Sequence, residues 1–401
     1  MQAAAQNGTS FVTDETLSEN LWLRRVVLTQ FRNYERAEVT VDARPVILTG
    51  ANGVGKTNLL EAISLMNPGR GLRSASLPEI ARRSRPEKPE AWAVAAEVMT
   101  EDGPRDVGTG RDPLNMNGTS RERRIVRVDG ETCKSQQALA EVFSTIWLTP
   151  QMDGLLRDGA AGRRKFLDRL VLGFDPAHAG NTSAYDHALR ERSRLLKAGN
   201  TDKAWLSTLE DRMARHGVAI AVARREMTEK LIDACAQTIG DFPIAGLALE
   251  GSVEGWLEDK PALLVEEDLR SCLADSRSKD AVTGGASWGP HRSDLVVHHL
   301  EKDMPASLCS TGEQKALLLS IVLAHARLVM LERGAAPLML LDEVVAHLDE
   351  KRRKSLFDEI LHLRCQAWMT GTDANVFTDM GEKAQYLTIK DGAVFLAHTG
   401  E

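Results

Sequence analysis

The chain has 401 residues, 43% of them hydrophobic and 27% charged, a mix that excludes a disordered or fibrous protein and calls for two or three structural units. Its formal net charge of −7 argues against a protein coated in positive charge, although a local basic face can hold nucleic acid whatever the total. The five cysteines (Cys133, Cys235, Cys272, Cys309 and Cys365) have no paired spacing, so they predict reduced thiols in a cytoplasmic protein, with neither a disulfide framework nor a zinc site.

Residues 1–20 lack a basic start and an apolar core, so they are expected to be a disordered tail and not a secretory signal. Ordered structure is expected from Leu21, where LWLRRVVL is a strand, FRNY a turn, and EVTV and PVILTG two further strands. TNLLEAISLM has helical spacing, and residues 68–90, rich in Pro, Gly, Ser and Arg, are expected to be loop. AWAVAAEV and RRIVRVDG predict strands of a second, antiparallel sheet, joined by a Gly/Asp/Asn-rich connection. Beyond Gly154, RRKFLDRLVLGF, Tyr185–Lys197 and Lys203–Gln237 are charged, leucine-bearing helices without sustained heptads. GLALEGSVEGW is strand-like, and a polar Gly/Ser-rich region leads to GASWGPHRSDL. The adjacent His298 and His299 are expected on a solvated surface. From Leu308 the order is helix, apolar strand, helix, strand. No apolar run approaches the roughly 18 residues of a membrane span, so no membrane partner is expected.

Gly50-Ala51-Asn52-Gly53-Val54-Gly55-Lys56-Thr57 has the spacing of a phosphate-binding loop between an apolar strand and a helix. Its glycines let backbone N–H groups converge on phosphates, and the helix that follows points its positive end at the same anion. Lys56 would neutralise the β- and γ-phosphates of ATP, and Thr57 would offer its hydroxyl to Mg²⁺. The partner carboxylates are expected at the end of another buried strand, PLMLLDE. There Asp342 would reach the metal, and Glu343 would orient or deprotonate the attacking water.

Just before that strand, CSTGEQK opens the helix Ala316–Leu331 and resembles the signature of ABC-type ATPases. In that motif a serine and a glycine at a helix start, here Ser310 and Gly312, meet the γ-phosphate held by a second subunit. The same pattern also suits an ordinary helix cap. Ala346-His347-Leu348-Asp349 matches the D-loop of that class. Two departures imply slow hydrolysis. Thr311 stands where the signature has its first glycine, and AWMTGTD puts Gly371 or Thr372 where transporters carry a switch histidine.

Taken together, FRNY, GANGVGKTNLLEAI, Leu148-Thr149-Pro150 before GRRKFLDRL, GPHRSDL and STGEQK resemble the RecF family from Leu21 onward. The resemblance implies an α/β ABC-type head, a P-loop sheet flanked by helices plus an antiparallel β subdomain, with an inserted helical arm. The expected division is a tail at 1–20, a head formed by 21–150 and 286–401, and an arm at 151–285. It also implies that Phe31, Arg32 and Asn33 lie near the adenine and that Gln151 links the nucleotide to the second lobe, a solvated loop being the other reading of Gln151. By the same resemblance the protein is an ATP-driven homodimer that clamps DNA without sequence preference and releases it on slow hydrolysis. It would load recombinase with RecR and RecO and support SOS induction. The alternatives are a transporter ATPase subunit, a small-molecule P-loop kinase and an ATP-binding scaffold. His291 and Arg292 fit either a site or a structural turn. Basic clusters at Arg70, Arg73, Arg82, Arg83 and Arg85, at Arg121, Arg123, Arg124 and Arg127, and at Arg163, Arg164 and Lys165 are candidates for DNA phosphates or for solvated faces.

Overall fold

The computed structural model describes residues 21–82, 91–111, 124–142, 144–199, 202–237, 240–390 and 392–396. The expectations for residues 1–20 and for Arg83, Arg85, Arg121 and Arg123 lie outside these. In chain order the first half contains β1 (Trp22–Phe31), β2 (Tyr34–Thr40), β3 (Val46–Thr49), α1 (Lys56–Ser64), α2 (Leu77–Ile80), β4 (Ala93–Thr100), β5 (Gly103–Arg111), β6 (Arg124–Val128), β7 (Glu131–Thr132), α3 (Gln137–Val142) and β8 (Thr145–Leu148). The middle contains α4 (Ala160–Leu172), α5 (His178–Lys197), α6 (Lys203–Ala236), β9 (Ala245–Glu250), α7 (Ser252–Asp259), α8 (Ala262–Asp275) and α9 (Arg277–Thr283). The last part contains β10 (Asp294–His299), β11 (Met304–Pro305), α10 (Thr311–Arg333), β12 (Leu338–Leu341), α11 (Glu350–His362), β13 (Ala367–Gly371), β14 (Gln385–Lys390) and β15 (Ala393–Leu396).

The central sheet has the order β15-β14-β3-β13-β12-β8. All neighbours are parallel except the β14–β15 hairpin. Its inner strands β3, β13 and β12 and the edge strand β8 are short and mostly apolar because both faces are covered, whereas the β15 edge is largely exposed. Alternate residues serve opposite cores. Val46, Leu48, Leu338, Leu340 and Trp368 pack toward α1 and the antiparallel sheet β2-β1-β4-β5-β6-β7. Ile47, Met339, Leu341, Ala367 and Met369 pack toward α4, α10, α11 and the second half of α6. This is a P-loop ATPase fold, a mixed sheet flanked by helices with a helical arm inserted. A third core, from Tyr185 to Ala286, belongs to the arm alone.

Helix α6 joins the two parts. Leu206 to Ala221 lie in the arm core, and Met227 to Cys235 lie in the head core. At 34 residues it spans about 51 Å, enough to reach both.

Four local expectations need correction. The Gly/Asp-rich connection includes β5, whose residues face β4 on one side and β6 on the other; ladder position outweighs its low strand propensity. GLALEGSVEGW is strand only to Glu250, and Ser252 begins α7. The polar region before GASWGPHRSDL holds α8 and α9, with Val265, Leu269 and Leu273 buried one helical turn apart. The 68–90 loop also contains the short α2, started by a Ser76–Glu79 capping box.

Helix α10 is long and apolar enough to cross a membrane by length and composition, contrary to the expectation of no such run. Of its most apolar stretch, 72% is buried, because it passes through the head core. His299 is also buried, not solvated, because alternate residues of β10 face inward.

Candidate nucleotide-binding site

The site sits where the parallel strands end, the usual location of ligands in such sheets. The loop 50–55 leaves β3 with Gly50, Gly53 and Gly55 all at positive φ. At two of these a side chain has no room. A Cβ on Gly50 would lie 2.7 Å from the Ile389 carbonyl oxygen, and one on Gly55 would lie 2.6 Å from Asn33 Nδ2. The loop then opens α1, whose first residue, Lys56, folds its ammonium back over the loop. Its Nζ donates to the Gly50 carbonyl at 2.7 Å and the Ala51 carbonyl at 3.0 Å. Burial lowers the Lys56 pKa, and the nearby Glu343 and Asp342 oppose that shift.

Asp342 follows β12 and its backbone N–H donates to the Leu148 carbonyl of β8 at 2.9 Å. Its carboxylate is 4% exposed. The Thr57 hydroxyl lies 3.0 Å from both of its oxygens, although the two residues are 285 positions apart. Burial pushes the Asp342 carboxyl above the usual aspartate range, and hydrogen bonds from Thr370 and Thr57 oppose this. A desolvated carboxylate beside a hydroxyl, with no lysine or arginine bonded to it among the described residues, is a hard, oxygen-only donor pair. It fits Mg²⁺, which takes one or two protein ligands and completes its shell with water and phosphate.

Glu343 is next along the backbone, in a left-handed conformation (φ 55°) that is uncommon for a residue with a side chain. One residue that sequence reasoning missed braces it. Thr370, at the end of β13 and fully buried, donates to Asp342 Oδ1 at 2.9 Å and accepts the Glu343 N–H at 2.8 Å. Sequence reasoning stopped at Gly371 and Thr372, which lie just past it. A Cβ on Gly371 would collide with Phe377 at 2.6 Å. The signal that was available is a lone hydroxyl in an otherwise apolar strand beside the carboxylate strand.

The turn between β1 and β2 supports the loop from below. Asn33 donates to the Val54 carbonyl at 2.8 Å and accepts from Asn58 at 2.7 Å, while the Tyr34 hydroxyl donates to the Gly55 carbonyl at 3.0 Å. Phe31, expected near the adenine, is instead wholly buried edge-on against Trp92. Arg32 is held by a two-point ion pair to the buried Glu61 of α1, at 2.8 and 2.5 Å, and Arg73 adds a second cation to the same carboxylate at 2.9 Å. Arg32 and Asn33 nonetheless border an open cleft with Asn58, Glu79, Ala81 and Arg82 beside the loop. Gln151 is exposed in a 3-10 turn, Pro150–Met152, just beyond β8.

Ser310 caps α10, and with Glu313 it forms a reciprocal capping box. Ser310, Thr311 and Gly312 are exposed, and a Cβ on Gly312 would meet nothing. Among the described residues no hydrogen bond or ion pair links them to the loop 50–57. The structure therefore brings Lys56, Thr57, Asp342 and Glu343 together and leaves Ser310 and Gly312 facing outward. Ala346, His347 and Asp349 are exposed as well, and Asp349 caps α11.

Among the described residues, most members of the expected basic clusters are engaged within the fold. Arg124 is buried and clamps the backbone, donating to the Leu65, Asn67 and Gly69 carbonyls and to Gln136. Arg163 pairs with both oxygens of Asp294, Arg164 donates to the Ser293 carbonyl, and Arg82 pairs with Glu35 at 3.3 Å. His291 and Arg292 hold a turn. His291 bonds Tyr185 at 2.7 Å and the Ala286 carbonyl at 3.0 Å, Arg292 donates to that same carbonyl, and burial lowers the His291 pKa to about 4.

A glycine loop on a parallel strand and a buried carboxylate on a neighbouring strand, with a helical insertion between them in sequence, define a P-loop ATPase of the ABC type. The family model "RecF/RecN/SMC N terminal domain" matches residues 22–394. With relatives close to half identical over nearly their full length, the chain belongs to that family and, within it, to the RecF proteins. The "DNA replication and repair protein RecF" of Rhizobium johnstonii is 46% identical, covering 93% of this chain and 98% of the relative. The protein of the same name from Mesorhizobium japonicum is 46% identical over 93% of this chain and 97% of the relative. Among solved structures, the recombination mediator protein RecF with ATP superposes with a TM-score of 0.80 at 24% identity, covering 95% of this chain and 98% of the other. An Smc head domain with an extended coiled coil, from Pyrococcus furiosus, gives 0.52 at 16% identity, covering 94% and 96%.

Proposed function

We propose that this protein is an ATP-dependent DNA-binding ATPase of replication and recombinational repair, acting as a clamp that closes when ATP joins two copies. The observation that carries this reading is the contact between Thr57 and the buried Asp342, which joins a phosphate loop to a carboxylate strand in one metal-compatible site. The names of the relatives supply the DNA side of it, and the solved relative with ATP supplies the nucleotide. Gly50 to Thr57 would cradle the phosphates, with Arg32, Asn33 and Gln151 bordering the nucleotide and Lys56 neutralising charge. Mg²⁺, held by Thr57 and Asp342, would supply electrostatic stabilisation of the transferred phosphoryl group. Glu343 would take a proton from water as its oxygen bonds to the γ-phosphorus. The bond to the β–γ bridging oxygen then breaks, and ADP and phosphate leave.

The outward-facing Ser310 and Gly312 fit a role in trans, completing the site of a second copy. Hydrolysis is expected to be slow and DNA-stimulated, consistent with Thr311 in the signature and no histidine at Gly371 or Thr372, where β13 ends. We assign the head to 21–150 and 286–401 and the arm to 151–285, with the arm's separate core beginning in α5. Work with RecR and RecO, a part in SOS induction and a cytoplasmic location complete the reading.

The test uses sedimentation with ATP and duplex DNA. Glu343→Gln should keep nucleotide and accumulate as a dimer on DNA. Ser310→Arg should bind ATP yet stay monomeric. Two monomeric variants beside a wild type that binds DNA well would replace the clamp with a scaffold, and normal ATP affinity in Lys56→Ala would remove the phosphate-loop assignment.

A further inference from the structure

A cleft of about 1460 Å³ runs between the arm and the antiparallel side of the head. One wall is the segment 65–78 with 133–137, and the other is α4, α5 and α6. Along α5 the lining runs from His178 to Arg190 and leaves out Asn181, Tyr185, Ala188 and Leu189, which recur at helical spacing, so one broad helical face forms the wall. From His178 to Arg190 that face extends about 18 Å. Small residues there let a large ligand approach the backbone.

The cleft is strongly cationic in a chain whose total charge is −7. Arg70 stands on the head wall, Lys165 on α4, Arg190 on α5, and Arg212 and Arg215 on α6. All five are exposed. Among the described residues, the first four form no ion pair, and Arg215 forms only a long one with Asp211 (3.7 Å). Two carboxylates line the cleft, and the five cations outnumber them; Asp186 lies near Arg190 and Lys165 and offsets part of their charge. Asp168 is already bound on both oxygens by Arg224 and also by His178, so it does not offset them. The buried Arg124 gives the head wall its shape by gathering three of its carbonyls.

We infer that this cleft is the surface that receives the duplex phosphate backbone, with Lys165, Arg190, Arg212 and Arg215 of the arm as its main contacts. The inference rests on the DNA-binding reading above and gives it a location: of the basic clusters read from the sequence it keeps Lys165 and Arg70, and it adds Arg190, Arg212 and Arg215, which the sequence did not single out. Length and chemistry both favour a polyanion over a single phosphate. An 18 Å face lies along about five phosphates of each strand. Flexible, exposed arginines without a base-reading motif contact the backbone and carry no sequence preference.

The test is fluorescence-anisotropy binding of a labelled duplex to the full chain with ATP and Mg²⁺, across a salt series. The variant Arg190→Gln/Arg212→Gln/Arg215→Gln should have a shallower log–log salt slope by about 2 to 3, and roughly hundredfold weaker affinity near 0.1 M salt. The matching triple change to Lys should restore both, because it keeps the charge. Arg36→Gln, on β2 away from the cleft, should bind like wild type. ATP affinity and thermal melting separate lost contact from lost folding. Wild-type protein without salt-sensitive duplex binding in any nucleotide state would overturn the DNA reading itself. Wild-type binding that the triple Gln variant keeps, slope included, would overturn the cleft alone.

Discussion

Thr370 places a single hydroxyl between Asp342 and Glu343, the two acidic residues proposed to hold the metal and activate water, donating to Asp342 and accepting from the Glu343 backbone. Glu343 carries a side chain in left-handed backbone, a conformation that persists only when its surroundings hold it. Replacing Thr370 with Val keeps the shape but leaves a buried N–H and a carboxylate oxygen short of a partner, a loss of about 1–3 kcal/mol. If that loss falls on the reacting arrangement, kcat for ATP hydrolysis should drop roughly tenfold to hundredfold while ATP affinity stays within a few-fold. Thr370→Ser should recover most of the rate, since it restores the hydroxyl. A Val variant with wild-type kcat would show that Thr370 is a packing residue only. At this scale Lys56, Thr57, Asp342 and Glu343 were legible as local strings with known spacing. Thr370 was not, because no motif marks it and only the pairing of β12 with β13 sets it beside Asp342.

Among elements, α6 carries the arm, and its buried charges fix how α5, α6 and α9 fit together. Arg192 of α5 has no exposed surface. It donates to Glu210 of α6 at 3.0 Å, to Asp280 of α9 at 2.8 Å and to the Leu273 carbonyl of α8 at 2.6 Å. Arg277 also pairs with Glu210, so the cluster has two cations and two anions. Arg192→Ala would strand Asp280 and part of Glu210 in the arm core, a change that costs about 3–5 kcal/mol. Calorimetry should show the arm melting early, with ATP affinity of the separately packed head nearly unchanged. An unaltered melt would mean that water enters and solvates the two acids. Sequence predicted charged helices here but could not say which charges face inward, since amphipathic spacing marks faces and not their partners. It failed for the same reason at Arg124 and Arg163, whose carbonyl and Asp294 partners lie 55 or more residues away.

For the whole molecule, the central sheet takes β3 and β8 from the first 150 residues and β12, β13, β14 and β15 from the last 64. β3 lies between β14 and β13, so neither of its hydrogen-bonded neighbours is present in an N-terminal piece. A fragment ending at residue 285 should therefore lack the central sheet and fail to bind ATP, by circular dichroism and equilibrium titration. Adding residues 286–401 as a second chain should restore binding in part. A fragment that binds ATP alone would mean that the loop and α1 suffice.

The sequence by itself determined the phosphate loop, the carboxylate strand, the helical middle and the family resemblance. These depend on short spacings and on periodicity, which are local properties of the chain. Only the tertiary structure decided which arginines are free. An arginine looks the same in sequence whether it clamps carbonyls, pairs with a buried glutamate or faces solvent, and the difference lies in contacts made across tens to hundreds of residues. Arg73, Arg124 and Arg163, each from one of the clusters densest in sequence, are held by partners within the fold. Lys165, Arg190, Arg212 and Arg215, spread over three helices, meet along one cleft because helical packing brings their faces together.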